Sequence, residues 1–382
     1  MKVQKRNIDK SLLSKLIILG SLLFLLILFI ILRNSRDFCE GYSRTIVRAY
    51  TFIYGNIASW FPFSFFELFI FGTIAYFVAF IVFFVQRTKK EGIKNSYHML
   101  LRLSIVVMSI LVIYQGTAGM EYSRKPVEIP QHTELIANPK DYKEISMKFV
   151  NEFNECASQM KFREDGALQA PYGYDVLIEK LKVEFSKFDS EYLSSFTPKA
   201  KPLYLTGWFY RAMSISGVTF TPTGEANFNV LDPDGILPFT IAHEMAHIKG
   251  AMPEEDANLV AAYICLNSDD PYIRFSGFNE TIWSLASLVQ ATNVKEDLNE
   301  FYSKIDTRIY ANNAYENDYW TKYAVFQKIS DWFNDLYLKY NNDNGTISYS
   351  DNIDVIHTET EYVVNSYSRY QALYMWLYFD KN

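Results

Sequence analysis

"LPFTIAHEMAHIKGAMPEEDANLVAAY", residues 237–263, holds two of the chain's five histidines. Pro238 suits a helix's first position and Gly250 its end, so 238–249 reads as one helix, and 253–267, opened by Pro253, as the next. On the first helix His243 and His247 stand one turn apart on one face. Two imidazole nitrogens so placed can reach a single Zn2+ ion at about 2.0–2.1 Å. Glu244 is rotated about 100° from His243. It cannot readily join both histidines as a ligand, but it can reach a water on the ion, the general-base position of an H-E-x-x-H pattern.

A catalytic zinc site takes a third protein ligand and keeps one position open. The acids at the start of the second helix offer that ligand. Glu254 is the first choice, because "EEDAN" sets Asn258 one turn further on, where its amide can accept a ring N–H from a ligand histidine. Asp256 is the runner-up. Acids in a first turn are also favoured by the helix dipole with no metal present. The small and apolar residues around the histidines nevertheless imply burial, and burying two His and a Glu without a partner is costly.

Upstream, "SISGVTFTPTGEANFNV" (214–230) is β-branched and aromatic around a "TPTGE" turn and predicts a β-hairpin. Elsewhere the second half has helical periodicity. Asn138–Pro139 opens a helix with Ile145, Phe149 and Phe153 as its stripe, and further helices are expected over 174–190, 279–291, 295–309 and 315–340. The aromatic stretch "TEYVVNSYSRYQALYMWLYF" (360–379) reads as a packed closing helix rather than a fourth span. His357, Tyr367 and Arg369 are weaker candidates for stabilising an oxyanion, Tyr367 more naturally a core residue. His98 and His132 have no metal-like spacing.

The first half is different. Uncharged runs at 16–32, 68–85 and 103–120 are long enough to cross a bilayer, which takes about 20 apolar residues. The expected organisation is a membrane anchor over 1–120, with spans at about 12–32, 64–86 and 101–120, followed by a second unit over 121–382. Lys2, Lys5, Arg6, Lys10 and Lys15 precede the first span, and Arg87, Lys89, Lys90 and Lys94 follow the second. Both groups favour the cytoplasm, which puts 121–382 outside the cell membrane, although Arg33, Arg36, Arg44 and Arg48 in the first loop pull the other way. Within 36–60, Phe38, Tyr42, Ile46, Tyr50, Ile53 and Ile57 recur at helical spacing opposite Arg44 and Arg48. That pattern fits a helix in the bilayer interface, with the lipid bilayer as partner, or one packed on the second unit. A net charge of −6 without a basic tract gives no reason to expect nucleic acid. Cys39, Cys156 and Cys265 form no C-x-x-C pair, so thiol ligation of a metal is not expected.

The chain resembles a bacterial family of polytopic membrane proteins known only as a domain of unknown function, with three N-terminal spans and an H-E-x-x-H domain. The resemblance rests on "PFSFFELF", "SGVTFTPTGEANFNV", "LPFTIAHEMAHIKG", "EEDANLVAAY" and "NDLYLKYN". It implies a mainly α (α+β) fold in which three transmembrane helices precede a largely helical zincin-like domain with a small sheet beside the histidine helix. His243, His247 and Glu254 would be the zinc ligands and Glu244 the catalytic base of a gluzincin-like metallopeptidase. Asp256 stands where a Glu is more usual in that family, which weakens it as an alternative ligand. The expected activity is therefore zinc-dependent hydrolysis of a peptide or protein substrate. The competing expectation is a non-catalytic zinc-binding envelope protein, structural or sensory.

Overall fold

The computed structural model describes residues 10–127, 139–188, 190–292, 294–341, 352–353 and 367–379. The first half is α1 (Lys10–Leu32), α2 (Arg36–Tyr42), α3 (Arg48–Ser59), α4 (Phe65–Glu91) and α5 (Ile93–Tyr114), with π-helical turns at Ser43–Val47 and Gln115–Gly119. Three stretches, Lys10–Leu32, Phe65–Glu91 and Ser96–Gly119, are long and apolar enough to cross a membrane, with mean hydropathies of 3.0, 2.7 and 1.9. Their side chains face outward almost throughout, as expected for helices whose solvent is lipid.

The remainder consists of α6 (Pro139–Gln159), β1 (Lys161–Phe162), β2 (Leu168–Gln169), α7 (Tyr174–Lys187), β3 (Lys201–Leu203), α8 (Gly207–Ala212), β4 (Gly217–Phe220), β5 (Glu225–Asn229), α9 (Leu237–Ile248), α10 (Glu254–Leu266), α11 (Pro271–Thr281), α12 (Leu285–Gln290), α13 (Lys295–Lys304), α14 (Thr307–Tyr323), α15 (Gln327–Tyr340), β6 (Asn352–Ile353), β7 (Tyr367–Ser368) and α16 (Arg369–Phe379). The chain is mainly helical with small sheets, as expected. The predicted hairpin is β4–β5, paired antiparallel from Gly217↔Phe228 to Phe220↔Glu225. An unforeseen third strand, β3, adds parallel to β5, giving the order β3–β5–β4 with β4 at an edge.

Helix boundaries depart from expectation where caps override periodicity. The helix expected at 279–291 is instead two, because Asp270 caps an earlier start, accepting bonds from the Tyr272 and Ile273 N–H groups ahead of Pro271. The long helix expected at 315–340 breaks between α14 and α15, where the Phe326 N–H donates outward to Ala212 O at 2.8 Å. Ile145, Phe149 and Phe153 are buried, as their stripe implies. Of the closing aromatic stretch expected as a helix over 360–379, residues 367–379 are described: Tyr367–Ser368 pair with β6 as β7, and the helix begins only at Arg369.

α9 is apolar around nearly its whole circumference and is accordingly the central helix, packed on β4, β5, α10 and α11. The composition changes at residue 120, but packing crosses that point freely. The buried Glu67, in the first turn of α4, accepts from the N–H groups of Leu205 and Thr206 at 2.8 and 2.7 Å. Glu225 of β5 accepts from the Phe65 N–H, and Ser64 donates to Asn227 at 2.7 Å. The buried Lys201 ammonium donates to the carbonyls of Ala58 and Phe61. The three-stranded sheet is thus clamped to the start of α4. The segment from α2 to α3 packs one face on the second half and leaves the other open. Ser43, Val47, Thr51, Gly55 and Ala58 are buried, with Gly55 against Phe196, while Ile46, Ile53 and Ile57 stay exposed.

Candidate metal centre

α9 ends in a Schellman turn. The Ala251 N–H donates to Ala246 O at 3.0 Å and the Gly250 N–H to His247 O at 2.9 Å, with Gly250 at φ +105°. This turn folds Glu254, the first residue of α10, back over the histidines. His243 Nε2 lies 3.2 Å and His247 Nε2 3.8 Å from Glu254 Oε2, and the two Nε2 atoms are 2.9 Å apart. Four ligands at about 2.05 Å from a tetrahedral zinc are about 3.3 Å from one another. The three separations straddle that value, so the donor set fits a divalent ion. Among the described residues this is the group of three His, Cys, Asp or Glu side chains close enough to share one.

The turn also fixes a tautomer. His247 Nδ1 is 2.9 Å from Ala251 O, which can only accept, so the proton sits on Nδ1 and the Nε2 lone pair faces the shared point. Burial, and then the charge of His243, push the His247 pKa down to about 4, keeping the ring neutral. Burial works against charge on His243 too, but the Glu254 carboxylate outweighs it and the net shift is upward. Burial would raise Glu254, but the two imidazoles outweigh it and lower it. His243, Glu254 and Asn258 interact, yet His243 Nδ1 is buried with no acceptor in hydrogen-bond geometry. The bond expected from Asn258 is therefore not formed at that atom.

Glu244 is not part of this trio but is held against the sheet, close enough to His243 and Glu254 for their charges to act on it. It is buried, its Oε2 accepts from Thr219 Oγ1 at 2.7 Å, and burial pushes its pKa up to about 7. Gly217, opposite on β4, leaves room for it: a Cβ there would lie 2.5 Å from the Glu244 carboxylate. A Gly217→Ala variant is expected to lower folded stability, because Glu244 must leave its Thr219 partner or β4 must shift. Thermal unfolding checks this; an unchanged midpoint would show that the carboxylate has another resting place.

Other expectations are corrected. Asp256 is no ligand: it faces the opposite side of α10, where it accepts from Arg369 at 2.7 Å and from the Val127 N–H at 3.1 Å. The same pair removes Arg369 from oxyanion duty. His132 and His357 lie outside the described residues, as does the Tyr367 side chain. His98 lies near the start of α5, at the end of that helix away from the His–His–Glu group, ring against ring with Tyr97.

Sequence reasoning missed three features. Arg124 is buried over the turn, donating to Gly250 O at 2.9 Å and to both Glu40 carboxylate oxygens at 2.8 and 3.0 Å. Tyr337 of α15 and Tyr122 meet ring to ring, and the Glu254 charge raises the pKa of both on top of burial. Glu280 on α11 is open to solvent, yet surrounding protein pushes its carboxyl up to about 7, with Glu316 adding and His243 opposing. No local signal announces any of the three, since their partners are distant in sequence.

These features define a class: a mainly helical chain with three apolar helices long enough to cross a membrane and a largely enclosed His–His–Glu group, its His247 buried, that is suited to a divalent metal. The chain belongs to the family described as "Protein of unknown function (DUF3810)", whose model matches residues 42–356 and so covers α4, α5, the sheet and the His–His–Glu group. No curated protein and no solved structure matches it.

Proposed function

We propose that this protein is a membrane-anchored, zinc-dependent metallopeptidase with a zincin-like, gluzincin-type site. The observation that carries the reading is the convergence of His243 Nε2, His247 Nε2 and Glu254 Oε2 on one point, with Glu244 held apart by Thr219. A zinc ion bound by this set would supply Lewis acidity towards a peptide carbonyl and lower the pKa of a coordinated water towards about 7. Glu244 is the proton carrier: its carboxylate takes the proton from the attacking water and returns it to the leaving amine. Thr219 keeps the carboxylate in place, and the His247–Ala251 bond keeps the ligand lone pair aimed. β4 is paired on one side only, so its free edge can receive an extended peptide as an added strand. Three ligands with a separate base favour catalysis over a closed structural site, which takes four protein ligands. The basic residues before α1 and at the end of α4 support a cytoplasmic N-terminus and an extracytoplasmic site.

Elemental analysis of the purified full-length protein tests the foundation. About one zinc per chain is expected, with near-complete loss in His243→Ala; equal zinc in both would overturn the assignment.

A further inference from the structure

α15 lies with an open apolar face. Ile329, Trp332, Phe333, Leu336 and Tyr340 recur at helical spacing and are each 47–59% exposed. Leu338 and Ser330 are buried on another face, and Lys328, Asp335 and Lys339 form a charged band beside the stripe.

Both ends of α15 are tied to the level at which the membrane helices end. At its start, the Phe326 N–H donates to Ala212 O of α8, and Tyr210 of α8 meets Phe66 in the first turn of α4 at 5.8 Å. At its end, the Tyr340 hydroxyl accepts from Gln115 Nε2 at 2.7 Å just beyond α5, and Arg33, just beyond α1, lies over the Tyr340 ring at 5.7 Å. Because the three apolar helices alternate in direction, the start of α4 and the ends of α1 and α5 share one side. A helix of 14 residues, about 21 Å long, therefore runs across these ends and not away from them. Trp60, beside the start of α4, and Trp208, on α8, are 79% and 63% exposed at the same level. Tryptophan and tyrosine are the residues that favour the headgroup zone.

We propose that α15 is an in-plane membrane helix whose Ile329–Tyr340 face is seated in the lipid interface. The polar band faces water, and the aromatic rings sit among the headgroups. This does not depend on the peptidase reading. Spin labels at Trp332→Cys, Ile329→Cys and Asp335→Cys, in full-length protein reconstituted into phosphatidylcholine–phosphatidylglycerol vesicles, test it. The native cysteines are buried, and unmutated protein is the labelling control. The ratio of oxygen to nickel-chelate accessibility should be several-fold higher at 332 and 329 than at 335. Equal, water-like ratios at all three would overturn the proposal. So would low accessibility to both reagents with dipolar broadening at 332, which would mean that a second copy covers the face.

Discussion

Glu244→Gln is expected to keep its metal and lose about 10²–10⁴-fold in peptide hydrolysis, the usual scale of general-base catalysis. Glutamine matches glutamate in size, and its carbonyl can still accept from Thr219 Oγ1, so the space opposite Gly217 stays filled. It cannot take a proton. None of the three convergent atoms belongs to this residue, and for that reason metal content should hold. Turnover of a quenched-fluorescence peptide library by reconstituted protein, read beside zinc per chain, is the measurement. Full activity in the variant would remove Glu244 from the chemistry. Joint loss of zinc and activity would make it a support of the metal instead.

Arg124→Met should destabilise the folded protein by about 3 kcal/mol, the lower end of the scale for breaking a buried ion pair, because Arg44 still partners Glu40. The guanidinium is fully buried, pairs with both Glu40 oxygens, stacks over Tyr192 at 3.8 Å and holds Gly250 O. Removing it leaves the slightly exposed Glu40 with Arg44 as its remaining cation and frees the turn that carries Glu254. Combining Arg124→Met with Glu40→Leu should restore part of the loss, and thermal unfolding in detergent compares the variants. The same pair sets an acid limit. Burial alone would raise Glu40, but Arg124 and then Arg44 outweigh it and hold the carboxyl at about 2. Its folded pKa is below the unfolded value, so its contribution is complete above about 4.5 and fades as pH falls towards 2. In Arg124→Met that fading should shift to higher pH. An unchanged acid midpoint would show that the pair contributes nothing.

What could be read from the sequence is what is local. The apolar runs, the one-turn spacing of His243 and His247, the Pro238 and Gly250 boundaries and the β4–β5 turn all depend on neighbours within a few residues. Glu254 was reachable because a short turn separates it from the histidines. The rest depends on distant partners. β3 is three residues long and pairs with a strand more than twenty residues later. Glu40 and Arg124 are 84 residues apart, and Glu67 and Thr206 are 139 apart. Asp256 has the same composition signal as Glu254, and only the position of Arg369 shows that it faces elsewhere. α14 and α15 read as one helix because no Gly or Pro marks their break.

The bonds from Lys201 to Ala58 and Phe61, from Leu205 and Thr206 to Glu67, and from Arg124 to Glu40 have a practical corollary. A fragment cut at residue 121 would carry away an ammonium, a guanidinium and two amides whose partners Ala58, Phe61, Glu40 and Glu67 stay behind on the other piece. Such a fragment is a poor candidate for folding by itself, so work on the second half needs the full chain.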